Sequence, residues 1–181
     1  MAQQEVEKRL KALEDVVKIN EKRLKVMEDI EEIKKLHYRY IYALNARKWE
    51  EIIDMFSEDM KEDGFPAGQI HTGKEEIAKI FRNMGENSRG TPLHATIIAQ
   101  PVISVEGDKA KGYWLWLGRI NDRRIFTSDS GQEGDYVIQI RPKLGRYDME
   151  YKRVDEEWKI SYLKFTLPWP NVQQAPNNPI S

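Results

Sequence analysis

From Val6 to Met27 the aliphatic positions keep a heptad rhythm. Val6, Leu10, Leu13, Val17, Leu24 and Met27 are spaced four, three, four, seven and three residues apart, and Asn20 fills the seven-residue gap. That spacing is the seam of a helix that lies along another helix. Neither Gly nor Pro occurs before Gly64, so helix is predicted from about Glu5 to the region of Asn45, either continuous or with one break. The seam reads as an amphipathic helix packed on the rest of the molecule or on a sister subunit; the sharper alternative is a free coiled coil that recruits a partner. Either way a homodimer or homotrimer is expected. Beyond Ile30 the stripe runs through Ile33, Leu36, His37, Tyr40, Ile41 and Leu44, so aromatic residues join it where the helix meets the core.

Trp49, Ile52, Ile53 and Phe56 in KWEEIIDMFSED fall at helical spacing and predict a second, short helix ending in a polar cluster. A short strand over Gln69–His71 sits among Gly64, Pro66, Gly68 and Gly73, and a third helix over Lys74–Met84 opens on a capping box, Thr72 with Glu75. From residue 91 the pattern changes to runs of β-branched and aromatic residues. LHATIIAQPVISV and KAKGYWLWLGRI flank the turn EGD; DYVIQI, RYDMEYKRV and EWKISYLKF follow. Helices first and long strands last predict an α+β fold, a curved antiparallel sheet covered on one face by the N-terminal helices. Three segments are expected: an amphipathic helical arm over 1–27, an α+β domain over 28–166, and a tail over 167–181. The tail, LPWPNVQQAPNNPIS, holds four prolines and predicts an extended surface strap anchored by Trp169.

Composition narrows the function. With 29 Lys and Arg against 30 Asp and Glu, no basic excess is available to neutralise phosphates, so nucleic acid is not an expected partner. The absence of cysteine excludes disulfides, thiolate metal sites and cysteine nucleophiles. The opening residues alternate charge with aliphatic side chains and lack the apolar run of a leader or membrane span; no membrane association and a cytoplasmic location are expected. No phosphate-binding glycine loop, dinucleotide fingerprint, nucleophile elbow or HExxH pattern is present.

Only His37, His71 and His94 supply imidazole, and none pairs at metal-ligand spacing; no metal and no cofactor are expected. His94, at the head of a strand, reads either as a proton acceptor facing the interior or as a strand histidine bonded to nearby backbone. His37 reads as a packing residue. Tyr38, Tyr40 and Tyr42 point three ways on the helix, and Tyr40 follows the buried stripe; its hydroxyl either donates to a substrate oxygen or bonds a backbone carbonyl. In YWLWL, Tyr113, Leu115 and Leu117 share one sheet face and Trp114 and Trp116 the other. An apolar pocket bounded by Trp49, Phe56, Tyr113, Leu115 and Trp169 is expected, suited to a flat ring-bearing ligand.

DIEEIKKLHYRYIYALNARKWEEIIDMFSED, Gly64 to Gly68, TGKEEI, a histidine-led strand, PVISVEGDKAKGYW and YKRVDEEWKISYLKF occur in that order. Together, over about residues 28 to 166, they resemble the SnoaL-like, nuclear-transport-factor-2-like superfamily. The helix pattern looks most like its scytalone dehydratase, bile acid 7α-dehydratase and hexachlorocyclohexane dehydrochlorinase branch. The resemblance implies a cone-shaped α+β barrel that removes small groups without a cofactor, using a first-helix tyrosine, an aspartate and a strand histidine. These map to Tyr40, Asn45 and His94. Two departures stand out: asparagine replaces the aspartate, and His94 precedes Pro101 by seven residues where five is usual. An amide fixes an imidazole tautomer but lends no charge to imidazolium.

The expected activity is a cofactor-independent lyase acting on an aromatic or polycyclic hydroxylated molecule, releasing water or a small carbonyl fragment such as formaldehyde. In it His94 moves a proton, Tyr40 hydrogen-bonds the charged oxygen, and Asn45 positions the imidazole or substrate. The alternatives are a non-catalytic binding module and an oligomeric scaffold of the same fold.

Overall fold

The structure is a computed structural model, and it describes residues 2–63, 69–87, 96–118, 124–126, 136–138, 143–167 and 169. One helix, α1, runs unbroken over Ala2–Asn45. It stops where Arg47 turns left-handed (φ 57°). There the Lys48 N–H bonds the Ala43 carbonyl at 2.9 Å and the Arg47 N–H bonds that of Leu44 at 3.2 Å, a Schellman closure. Residues 3 to 28 of α1 are all exposed, and burial begins at Asp29.

After α2 (Trp49–Asp54) come β1 (Phe56–Asp63), β2 (Ile70–Thr72), α3 (Lys74–Asn87), β3 (Thr96–Glu106), β4 (Lys109–Gly118), β5 (Arg124–Phe126), β6 (Tyr136–Ile138), β7 (Lys143–Val154) and β8 (Glu157–Thr166). Among the described residues six strands form one curved, open sheet in the order β2-β1-β8-β7-β4-β3, and β5 pairs with β6. The class is the expected α+β, with two differences. The segment from Phe56 to Asp63 is a strand rather than the end of a helix: it pairs with β2 and β8, and its burial alternates from Met60 onward. It also runs parallel to β8, so the sheet is mixed.

Turn chemistry sets the register of the long strands. Gly107 is left-handed in the two-residue connection of Glu106 to Lys109, and Asp155 and Glu156 are both left-handed between Val154 and Glu157, the type that matches strand twist. On the edge strand β3 the pairing shifts between Ala99 and Val102. Left-handed Gln100 and Pro101 form that bulge, where a missing N–H removes no ladder bond.

The core lies between α1 and one sheet face. Ile33, Leu36, Tyr40 and Ile41 meet Trp114, Trp116, Tyr147, Met149 and Tyr151, while Phe56, Ile77 and Phe81 close the side under α3. Where α1 leaves this core, Asp29 pairs with Arg153 at the β7–β8 turn and accepts the Trp158 indole N–H at 3.3 Å. The Arg153 guanidinium lies 4.6 Å over the Trp158 ring. Among the described residues no helix is long and apolar enough to cross a membrane.

Candidate functional site

Polar side chains converge at one place in the core. His37, fully buried, stacks on Trp114 with ring centroids 4.2 Å apart and planes within 7°. Its Nδ1 lies 3.2 Å from the Tyr151 hydroxyl, which also accepts the Trp114 indole N–H at 2.9 Å. The hydroxyl can donate to Nδ1 or accept from it. Both tautomers leave His37 Nε2 buried with no hydrogen-bond partner among the described residues. Burial drives the His37 pKa down to about 3, because a dry interior disfavours imidazolium; the ring is neutral near pH 7.

One helical turn on, Tyr40 shares a hydrogen bond with Tyr147, their rings edge to face at 6.2 Å. Burial, the Tyr147 contact and the nearby Glu62 charge raise the Tyr40 pKa well above its ordinary value, so it stays a phenol. Burial likewise pushes Tyr147 and Tyr151 up. Glu62, 4% exposed, is an acid turned inward from β1. A neutral imidazole and three neutral phenols therefore meet beside Trp114, with the Glu62 carboxyl near enough to act on Tyr40 through its charge. This set can hand a proton between oxygen and nitrogen and hydrogen-bond a ligand oxygen away from water. Among the described residues no three His, Cys, Asp or Glu side chains stand together as metal ligands.

Of the residues expected at the site, Tyr40 and Phe56 are brought together in this interior, ring centroids 6.4 Å apart. Trp49 lies at its margin, 6.4 Å from Phe81, and packs so closely on Gly85 that a Cβ there would strike the indole. Asn45 gives both ends of its amide to one residue. Its Nδ2 donates to the Thr96 carbonyl at 2.8 Å and its Oδ1 accepts the Thr96 N–H at 2.9 Å, pinning the first residue of β3 to the end of α1. His94 lies outside the described residues, two positions ahead of that clamp.

Three expected pocket residues face the other way. Trp114 and Trp116 point to the helices, so Tyr113, 48% exposed, and Leu115 belong to the outer face. Two indoles bury more apolar area than a phenol and an isobutyl group, and that decides the parity. Gly112 assists: a Cβ there would come within 3.2 Å of Tyr151 and 3.3 Å of Trp114. Trp169 joins the outer face too. Its N–H bonds the Leu144 carbonyl at 2.9 Å, and the Arg146 guanidinium lies 5.4 Å from its ring and 5.5 Å from that of Tyr113. In turn, the interior enlists Tyr147, Tyr151 and Glu62, which sequence reasoning passed over. The alternation in RYDMEYKR, with Tyr147, Met149 and Tyr151 on one face, is the signal that would have found the two tyrosines.

A mixed, open sheet wrapped on a long first helix, with polar side chains buried between them, defines the cystatin-like α+β class to which the nuclear-transport-factor-2-like proteins belong. The chain is a member of the SnoaL-like domain family, whose model matches residues 25–164. Solved structures share the fold. An NTF2-like protein of unknown function from Pseudomonas putida superposes with a TM-score of 0.59 at 18% identity, over 80% of this chain and 89% of its own. A candidate aromatic ring hydroxylase from Novosphingobium aromaticivorans gives 0.57 at 22%, over 77% and 88%. A candidate scytalone dehydratase from the same organism gives 0.55 at 19%, over 77% and 83%. No curated protein matches the sequence.

Proposed function

We propose that this chain is a cofactor-independent lyase of the cytoplasm. Its substrate is a hydroxylated aromatic or polycyclic molecule held between α1 and the inner sheet face, from which it releases water or a small carbonyl fragment such as formaldehyde. The observation that carries the reading is the buried His37 imidazole, bonded to Tyr151 on one side and with no partner among the described residues on the other, beside the Tyr40–Tyr147 pair. The SnoaL-like family, with a candidate scytalone dehydratase among its structural relatives, supports the same class of chemistry.

In this scheme His94 takes a proton from the substrate. Tyr40 leaves Tyr147 to hydrogen-bond the oxygen that gains charge, and in a dehydration the imidazolium returns the proton to the departing hydroxyl, which leaves as water. His37, held neutral, positions the ligand oxygen rather than taking the proton. Asn45 fixes the strand that follows His94. With an amide instead of a carboxylate there, imidazolium gains no charge partner, which favours carbon–carbon cleavage, the reaction that asks less of the base.

The test is turnover on a panel of hydroxylated arylpropanoids and steroids, read as product by mass spectrometry. The wild type is expected to convert at least one member. His94→Ala and Tyr40→Phe are each expected to lose roughly 100-fold or more while keeping the wild-type circular dichroism. Ligands that bind with no product from any panel member overturn the reading in favour of a binding module. That second reading draws on one observation: both ends of the Asn45 amide are committed to backbone.

A further inference from the structure

The exposed part of α1 carries an apolar stripe that its own fold does not use. Val6, Leu10, Leu13, Val17, Leu24 and Met27 stand 53–64% exposed, on a helix that continues without a break into the core. The residues by which α1 grips the sheet are Asp29, Ile33, Leu36, His37 and Tyr40. At about 100° per residue, the centre of the seam and the centre of this gripping stripe lie on nearly opposite sides of the helix. The seam therefore points away from the molecule's own sheet. A partner along it would meet no obstruction from the described residues of the domain.

Charge says what the partner is. Taking Leu10, Val17 and Leu24 as a positions and Val6, Leu13, Asn20 and Met27 as d positions, the e positions are Glu7, Glu14, Glu21 and Glu28. The g positions include Arg9 and Arg23. In a parallel pair each g residue meets the e residue five positions on in the other strand. Arg9 then faces the partner's Glu14, and Arg23 faces the partner's Glu28. An antiparallel pair would instead set the glutamate edge of one strand against the glutamate edge of the other. Unbroken charge at e also fits two strands better than three, since a third strand would draw that edge out of water. Asn20, at a d position, lies opposite its own copy only in a parallel, in-register pair; any other alignment buries its amide against an aliphatic side chain.

We infer that residues 6–27 form a parallel, in-register, two-stranded coiled coil with a second copy of this chain. The two α+β domains hang outward on opposite sides of it, both tied to the coil by the Asp29–Arg153–Trp158 junction.

Sedimentation of the full chain is expected to give twice 21.3 kDa. Arg9→Glu with Arg23→Glu should raise the dissociation constant roughly tenfold or more, and adding Glu14→Arg with Glu28→Arg should restore it. Orientation is read by Gln3→Cys in a chain without other cysteines. Parallel strands bring the two thiols together and they form a disulfide under mild oxidation. Antiparallel strands hold them roughly 35 Å apart. The substituted positions are exposed, so the domain stays folded in every variant. A monomer, a trimer, a dimer indifferent to the charge reversal, or a dimer without the Gln3→Cys disulfide each overturns the inference.

Discussion

The two parts of α1 are one continuous helix in two environments. From Asp29 to Ala43 its inward residues are 0–7% exposed, and the stripe includes an imidazole and a phenol. Between residues 3 and 28 every side chain is exposed, and the large aliphatic ones stand 40–64% clear. Both parts obey the same periodicity, but the apolar stripe changes sides of the helix near Asp29. Local support in the exposed part comes from pairs such as Arg9–Glu5, 3.1 Å, each worth only about 0.3–0.5 kcal/mol. A helix of that kind is marginal alone in water, whereas the inner part is held by packing. Continuity of secondary structure is thus no guide to continuity of role.

The sharpest way to break this comparison is to remove one aliphatic side chain from each part. Ile33, fully buried, should lose about 2–5 kcal/mol of stability on Ile33→Ala through transfer and cavity terms. Leu13→Ala, on a residue 63% exposed, should change the domain's urea unfolding by less than about 0.5 kcal/mol. An equal cost at Leu13, measured at protein concentrations low enough that the chain is monomeric, would mean that the seam packs on its own domain after all.

The sequence made the two stripes visible but not their angular separation. The heptad over 6–27 and the aromatic stripe beyond Ile30 were both legible, because period and residue type are local properties. Strand existence after Thr96 was legible for the same reason. The face that each strand presents was not: YWLWL offers two equivalent alternations, and only tertiary packing prefers Trp114 and Trp116 over Tyr113 and Leu115. The strand after Ile53 was hidden because Trp49, Ile52, Ile53 and Phe56 fit helical spacing across its start. Asn45 was legible as a departure from the family, yet its bond to Thr96 is a contact 51 residues away, which no local pattern encodes.

A smaller effect is expected from acid. His37 is neutral in the fold with a pKa of about 3, against 6.5 when exposed. Between those values the unfolded chain binds a proton that the folded one refuses, so stability is full above pH 6.5 and falls as pH drops. By pH 5 the loss is about 2 kcal/mol. His37→Phe should flatten the pH 7 to 5 limb of the unfolding free energy. Asp29 acts lower. Burial would raise its carboxyl, but hydrogen bonds from Arg153, Lys25 and Trp158 together hold it below the ordinary 3.8, so its contribution is lost only as pH falls below about 4. A limb unchanged in His37→Phe would place the acid sensitivity elsewhere.

The smallest effect should be that of Lys25, at the border between the two parts, where one carboxylate serves both. Asp29 accepts from Lys25 at 3.1 Å on the exposed side and from Arg153 on the buried side. The Lys25 side chain is 57% exposed and that of Arg153 is 10% exposed. Water screens the first pair, and ordering a lysine costs rotamer freedom, so Lys25→Ala should change stability by less than about 0.5 kcal/mol and less still in high salt. Asp29→Ala should cost more, about 1–3 kcal/mol, because Arg153 and the Trp158 indole lose their buried acceptor while Arg153 keeps Asp108 at 3.3 Å and Glu32 at 3.8 Å. Chemical denaturation of the two variants at low and high salt reads both numbers. If Lys25→Ala costs more than about 1 kcal/mol, the packed part of α1 begins a full turn before Asp29, and the reversal of the apolar stripe begins a turn earlier too.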